Sequence, residues 1–401
     1  MHEHPALFFA ALLIFIYGIF SKLAERSPIT GPMFFMVVGI LVSPVGLDLF
    51  ELHFRAAETK NIAEITLIII LFVDASMIEF SKLGKTLSGI PARLLGIGLP
   101  FTMLLGALVA KVLFPAMDVW LLVMMALILS PTDAALGQAV VKSEKVPARI
   151  RESISIESGL NDGIALPVIL VCIAVLAQGA SALDGSGYWL VFMAKQLTFG
   201  PIIGGLVGWV GGKIVDRAAA KGWIEPTFQR LSAISLALMA YAFAELVHGN
   251  GFIAAFFCGL LLGTKTPIVR ERIQEFGEAE GQMFALFIFL ILGIVAVPFA
   301  VEYWDWQALV YALLSLTVIR MLPVALSLIG SGLDKFTVCF VGWFGPRGIA
   351  SFLYLLIAIG DLGVKGYEQA FSIIILTVMI STVLHGLSAV WLSNLFNTKT
   401  D

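Results

Sequence analysis

The sequence predicts an all-α polytopic membrane protein of about thirteen transmembrane helices, built as inverted repeats with two discontinuous helices crossing at the midplane. Three observations carry this: an apolar composition, thirteen apolar segments, and two proline-centred polar interruptions at matching places. Of 401 residues, 59% are hydrophobic and 13% charged, with a mean hydropathy of +0.97. A soluble domain carries roughly 25% charge.

The apolar segments fall near residues 6–22, 30–47, 62–79, 90–113, 118–142, 150–178, 187–213, 228–248, 251–264, 280–300, 306–330, 335–359 and 369–396. Most reach the roughly 20 residues a span requires, and 251–264 is the shortest. The first lacks a basic leader and a small-residue cleavage site, so no cleavable signal peptide is expected. No soluble domain is expected before or after the spans. Cys172, Cys258 and Cys339 lie apart in apolar surroundings, and read as small core residues rather than metal ligands or a disulfide.

Charge sets the orientation. With the N-terminus outside and thirteen alternating spans, eighteen of the 25 Lys and Arg fall in inner loops and the C-terminus. Only Arg55, Lys60 and Lys365 fall outside. Lys111, Lys195, Arg320 and Arg347 sit in or at the edges of spans.

Each interruption sits in the middle span of a triplet. Ser130-Pro131-Thr132-Asp133 lies within 90–178, and Gly345-Pro346-Arg347-Gly348 within 306–396. The fifth and twelfth spans are an odd number apart, so the two units run in opposite senses, as in inverted-repeat carriers. Where two helices unwind, positive N-terminal and negative C-terminal ends meet. Asp133 suits exposed amides, Thr132 can cap through its hydroxyl, and Arg347 suits exposed carbonyls. Gly200, Gly204, Gly208 and Gly212 recur every fourth residue, a ridge for close helix packing in a connector between the halves.

The run Glu157-Ser158-Gly159-Leu160-Asn161-Asp162 places carboxylates where each costs roughly +2.5 to +3.5 kcal/mol, and such residues usually mark ion or proton paths. Residues four apart share a helix face, which groups Ser158 with Asp162 and Glu157 with Asn161. A hydroxyl, a carboxylate and an amide oxygen suit a hard monovalent cation, with Thr132 and Asp133 able to complete the shell. Removal of a carboxylate from water disfavours its charged form. Proton and cation then compete for Asp162, and exchange is compulsory. Asn161 does not titrate and adds no second proton. Glu157 needs a cationic partner, Arg320 or Arg347. Asp74 faces either the ion path or the cytoplasmic interface. His248 precedes a turn and reads as interfacial, and His385 as a satisfied core residue.

Together these motifs resemble the monovalent cation:proton antiporter superfamily, in its NhaP-like sodium/proton exchanger branch, over nearly the whole chain. The resemblance implies a single exchanger domain, 1–401. Within it, 90–178 and 306–396 form a mobile six-helix core, 1–89 and 228–300 dimerisation or scaffold helices, and 187–218 a connecting helix. It implies a homodimer in the cell membrane that moves like an elevator. By position, Asp162 resembles the family's ion-binding aspartate, with Asp133, Thr132 and Ser158 as ligand neighbours and Glu157 with Arg320 as a structural ion pair. The Asn-Asp pair resembles the electroneutral, one-for-one branch, and the missing long tails fit a prokaryotic protein. The expected partners are Na+ and H+, with Li+ and K+ as alternative cations, and membrane lipid; no nucleic acid or cofactor is expected. A passive channel would need repeated rings of carbonyls or acids, and an enzyme a nucleophile or metal set such as His-Glu-x-x-His; neither pattern occurs.

Overall fold

The computed structural model describes residues 3–24, 27, 29–50, 56–78, 89–133, 136–141, 143–178, 186–262 and 281–396. Among these every regular element is helical. Parts of several apolar segments (79, 134, 135, 142, 263, 264 and 280) lie outside the described residues. So do Arg26, Arg55, Lys82, Lys85, Lys142, Lys265, Arg270, Arg272 and Lys399 of the charge asymmetry.

The chain opens with α1 (Glu3–Ala24), α2 (Gly31–Val42) and α3 (Ala56–Ser76). The first triplet follows: α4 (Ile90–Leu113), the broken pair α5 (Val119–Ile128) and α6 (Gln138–Val141), and α7 (Ala148–Gln178). Then come α8 (Ser186–Ala220), α9 (Pro226–Leu246), α10 (Gly251–Leu261) and α11 (Gly281–Val301). The second triplet is α12 (Trp306–Ser327), the broken pair α13 (Lys335–Trp343) and α14 (Ile349–Leu362), and α15 (Glu368–Asn394). Each of the thirteen apolar segments thus becomes one helix or one broken pair, with α12 interrupted at Thr317. The second ends early, at Val42, where backbone turns through 43–50 take over.

Local chemistry explains the boundaries. Thr30, Asp118, Asn250, Asp305 and Asp334 cap α2, α5, α10, α12 and α13 by accepting first-turn amides. Inside α4 and α11 a π turn (Leu94–Gly98 and Leu292–Ala296) stands just ahead of Pro100 and Pro298. A proline has no N–H to offer its ladder, and the chain widens by one residue there.

The glycine ridge of α8 lies along α10. A methyl group on Gly204 would collide with the Ala254 backbone, and one on Gly208 would lie 2.9 Å from the Cys258 Cα. α10 in turn packs on α3, which carries Asp74 toward the centre of the bundle. Cys172 and Cys258 are buried, but Cys339 is exposed. It lies on the outer face of α13, whose other face turns Thr337, Phe340 and Val341 inward.

Backbone atoms cannot move aside as a flexible side-chain tip can. Gly208→Ala should therefore destabilise the fold by about 1–3 kcal/mol, the usual cost of overpacking. In a thermal melt of detergent-solubilised protein it should lower the midpoint. Gly18→Ala, with nothing within 4 Å of the added carbon, should hold or raise it.

Candidate functional site

Two non-helical stretches, 129–133 and 344–348, pass each other in the middle of the bundle. Ser130 precedes Pro131 and Gly345 precedes Pro346, and a residue before proline is pushed away from helical conformation. The Asp133 amide donates to the Pro346 carbonyl at 2.9 Å, tying the strands together. So close a crossing needs glycine. A side chain on Gly345 would strike the Arg320 guanidinium and one on Gly348 the Asp133 carboxylate.

Four helix ends are left facing one another, and each finds a partner. The Asp133 carboxylate accepts from the Ile349 amide, which opens α14, and from Leu136 N at 3.3 Å, ahead of α6. Arg347 Nη1 donates to the carbonyls of Ser130 at 2.8 Å and Pro131 at 3.2 Å, past the end of α5. Ser351 Oγ donates to Ile128 O at 2.7 Å. The Trp343 carbonyl, closing α13, receives His385 Nε2 at 2.8 Å. That contact puts a proton on Nε2, and Nδ1 lies 3.1 Å from Ser381 Oγ and 2.9 Å from the Ser381 carbonyl. Ser381 Oγ itself accepts from the Arg347 amide at 2.7 Å.

α7 crosses directly beneath. Glu157 pairs with Arg320 through two contacts, 2.6 Å (Nη1 to Oε1) and 2.8 Å (Nη2 to Oε2), with both side chains about 1% exposed. Arg320 rather than Arg347 is therefore the bonded partner of Glu157. Thr132 does not cap a helix end through its hydroxyl; that expectation is corrected. Its Oγ1 lies 2.9 Å from Ser158 Oγ and accepts from Asn161 Nδ2 at 2.7 Å. Asn161 Nδ2 also reaches the Thr132 carbonyl at 3.3 Å. The first broken helix gave its carboxylate to capping and its threonine to α7.

Asp162 is buried, and its Oδ1 makes no hydrogen bond. Among the described residues, no cation pairs with it. Asp74, half-buried on α3, lies close enough to Asp162 and Asp133 for the three carboxylates to repel one another. Asp74 thus faces this cluster. His248 is exposed in its turn, with a φ of 60°.

Three polar side chains at the crossing escape a reading of the sequence motifs: Ser351, Tyr354 and Ser381. All are buried. Ser351 and Tyr354 stand three residues apart, on one face of α14. That spacing in a mostly apolar helix was the available signal. For Ser381, the signal was its four-residue spacing from His385.

A helical bundle with two crossed, broken helices around buried carboxylates is the architecture of the inverted-repeat membrane carriers. A family model described as sodium/hydrogen exchanger, transmembrane, matches residues 10–395. The chain belongs to that family. It is 28% identical over 388 residues to a K(+)/H(+) antiporter NhaP of Alkalimonas amylolytica, covering 94% of this chain and 64% of that protein. A Na(+)/H(+) antiporter of Schizosaccharomyces pombe is 24% identical over 423 residues, covering 96% and 89%. The chain spans under two thirds (64%) of the length of the first of these relatives. The solved structure of the sodium proton antiporter MjNhaP1 from Methanocaldococcus jannaschii superposes with a TM-score of 0.79 at 20% identity, covering 98% and 99% of the two chains.

The Glu157–Arg320 pair makes a sharp prediction. Arg320→Met leaves a buried carboxylate unpaired and should cost about 3–5 kcal/mol, while replacing both partners by apolar residues should recover most of it. Thermal melts of Arg320→Met, Glu157→Leu and the double variant would measure this. Additive losses would mean the pair is not coupled.

Proposed function

We propose that the protein is a secondary active antiporter that exchanges Na+ or Li+ for H+ across a membrane, one for one. The observation that carries this reading is Asp162: a buried carboxylate without a cationic partner, set among neutral oxygens where the two broken helices cross. An unpaired buried charge is costly. Asp162 is neutralised either by a proton or by a cation held with Thr132, Ser158 and Asn161, and binding one expels the other. Asp133 acts mainly through its charge, since amide donors occupy its carboxylate. Asp74 adds negative potential along the approach. Glu157, Arg320 and Arg347 hold the frame.

The alternating movement carries the core, 90–178 and 306–396, against the scaffold of 1–89 and 228–300, with 187–218 as the link. The scaffold also forms the contact of a homodimer embedded in membrane lipid. The charge asymmetry favours a cell-membrane protein with the N-terminus outside and the C-terminus in the cytoplasm. A second reading, K+/H+ exchange, keeps the same carboxylate. It is favoured by the name of the Alkalimonas relative.

The test is cation-driven proton movement in proteoliposomes with a preformed pH gradient. Wild type should collapse the gradient on addition of Na+ or Li+, with no dependence on membrane voltage, and Asp162→Asn should abolish the response. Because proton and cation share one group, the KM for Na+ should rise as the pH is lowered. Collapse by K+ alone would transfer the assignment to the second reading, and an active Asp162→Asn would refute the one-carboxylate mechanism.

A further inference from the structure

α14 runs from the crossing at Ile349. Arg347 lies just ahead of it, Ser351 and Tyr354 share one of its faces, and the helix packs on both α7 and α3. The first two occupy the end of α5, through the carbonyls of Ser130 and Ile128. Tyr354, the third, stands beside Asp162. Its side chain is 0% exposed, and its hydroxyl lies against the Asp162 carboxylate without a well-formed hydrogen bond. Asp162 Oδ1 and Asn161 Oδ1 are likewise buried without a partner.

Buried polar atoms in folded proteins are almost always bonded, and a buried tyrosine hydroxyl usually finds a partner. Donation from Tyr354 to Asp162 would use the hydroxyl proton but leave the Tyr354 lone pairs and Asn161 Oδ1 unmatched, and these facing oxygens need a shared explanation. Packing does not supply one, since a phenylalanine would fill the same ring site without the penalty of an unmade bond. Oxygen lone pairs are what a hard cation takes, and the cluster already contains the carboxylate that would carry its charge.

We propose that the Tyr354 hydroxyl is a further ligand of the transported cation, reaching the Asp162 site from the second broken helix. This rests on the exchange reading above and deepens it. Thr132 approaches from the first broken unit, Ser158, Asn161 and Asp162 from α7, and Tyr354 from the second unit. Both inverted units then hold the same ion, so a shift of either one against its neighbours changes the shell.

The test is Tyr354→Phe, which keeps the ring and removes one oxygen. In proteoliposomes its KM for Na+ and Li+ should rise roughly tenfold, equivalent to about 1.4 kcal/mol of binding, with kcat within about twofold of wild type. In detergent, the Na+ concentration for half-maximal thermal stabilisation should rise by the same factor, because binding to the folded state alone stabilises it by mass action. Tyr311→Phe is the control: Tyr311 is equally buried, but its hydroxyl donates to the Gly106 carbonyl at 3.3 Å. It should leave both cation values unchanged.

Unchanged KM and unchanged Na+ stabilisation in Tyr354→Phe would overturn the proposal, as would a fall in kcat alone, which marks a structural role. A lowered KM would also overturn it, since the hydroxyl would then compete with the ion as a donor to Asp162. Should Tyr354→Phe fail to fold, Tyr354→Met offers the same loss of oxygen in a flexible side chain, read by the same two measurements. Wild-type protein that moves no protons in response to any cation would instead refute the exchange reading itself.

Discussion

The whole centre of the molecule depends on a reciprocal exchange of caps between two broken helices. Asp133 belongs to the first break but closes the amide end of the second unit's α14. Arg347 belongs to the second break but closes the carbonyl end of the first unit's α5. Away from water, each unsatisfied backbone group costs several kcal/mol, so neither break is tolerable without the other. A crossing held this way is specific to its partner. It fixes Thr132, the residue before Asp133, to within the span of one peptide unit, and so positions an oxygen donor opposite α7.

Charge accounting at the crossing leads from fold to chemistry. The Arg320 guanidinium is committed to Glu157 and that of Arg347 to carbonyls. Asp133 is bonded to amides, which stabilise its charge without cancelling it. Asp162 and the half-buried Asp74 add two more carboxylates, and Asp162 has no cationic counterpart. The protein has thus confined its cations to structural duty and left a negative deficit beside the crossing. A proton or a small cation fills such a deficit equally well, and that equivalence is the physical content of exchange. A buried ion pair such as Glu157–Arg320 is weak evidence for stability in itself. Its value here is that it removes one carboxylate from that competition.

The positions of the spans and of both breaks were legible because they rest on one-dimensional signals: runs of apolar residues, and prolines beside charges. What the charges bond to was not, because it depends on how two remote segments cross. Arg320 was the favoured candidate for Glu157, but Arg347 stayed an alternative until the crossing placed it over the end of α5. Thr132 could be read as a cap or as a donor, and only the third dimension turns its hydroxyl to Ser158 and Asn161. Cys339 misled for the same reason, since an apolar neighbourhood in sequence does not distinguish a face turned to the core from one turned outward. Ser351 and Tyr354 announced themselves only by spacing, and two polar residues on one face are a faint signal in a mostly apolar helix.

Asn161 ties these threads together. Its amide nitrogen donates to both oxygens of Thr132, at 2.7 and 3.3 Å, locking the first break to α7. An aspartate there would present oxygen to oxygen and could hold this geometry only as the protonated acid, which donates one hydrogen bond where the amide donates two. It would also double the number of titratable groups at the site. The neutral amide therefore serves two constraints at once: it supplies the hydrogen bonds that fix the donor set, and it leaves Asp162 as the one carboxylate of the pair. Under the proposed exchange, this side chain adds no second titrating group beside Asp162, which is what one proton for one cation requires of the pair.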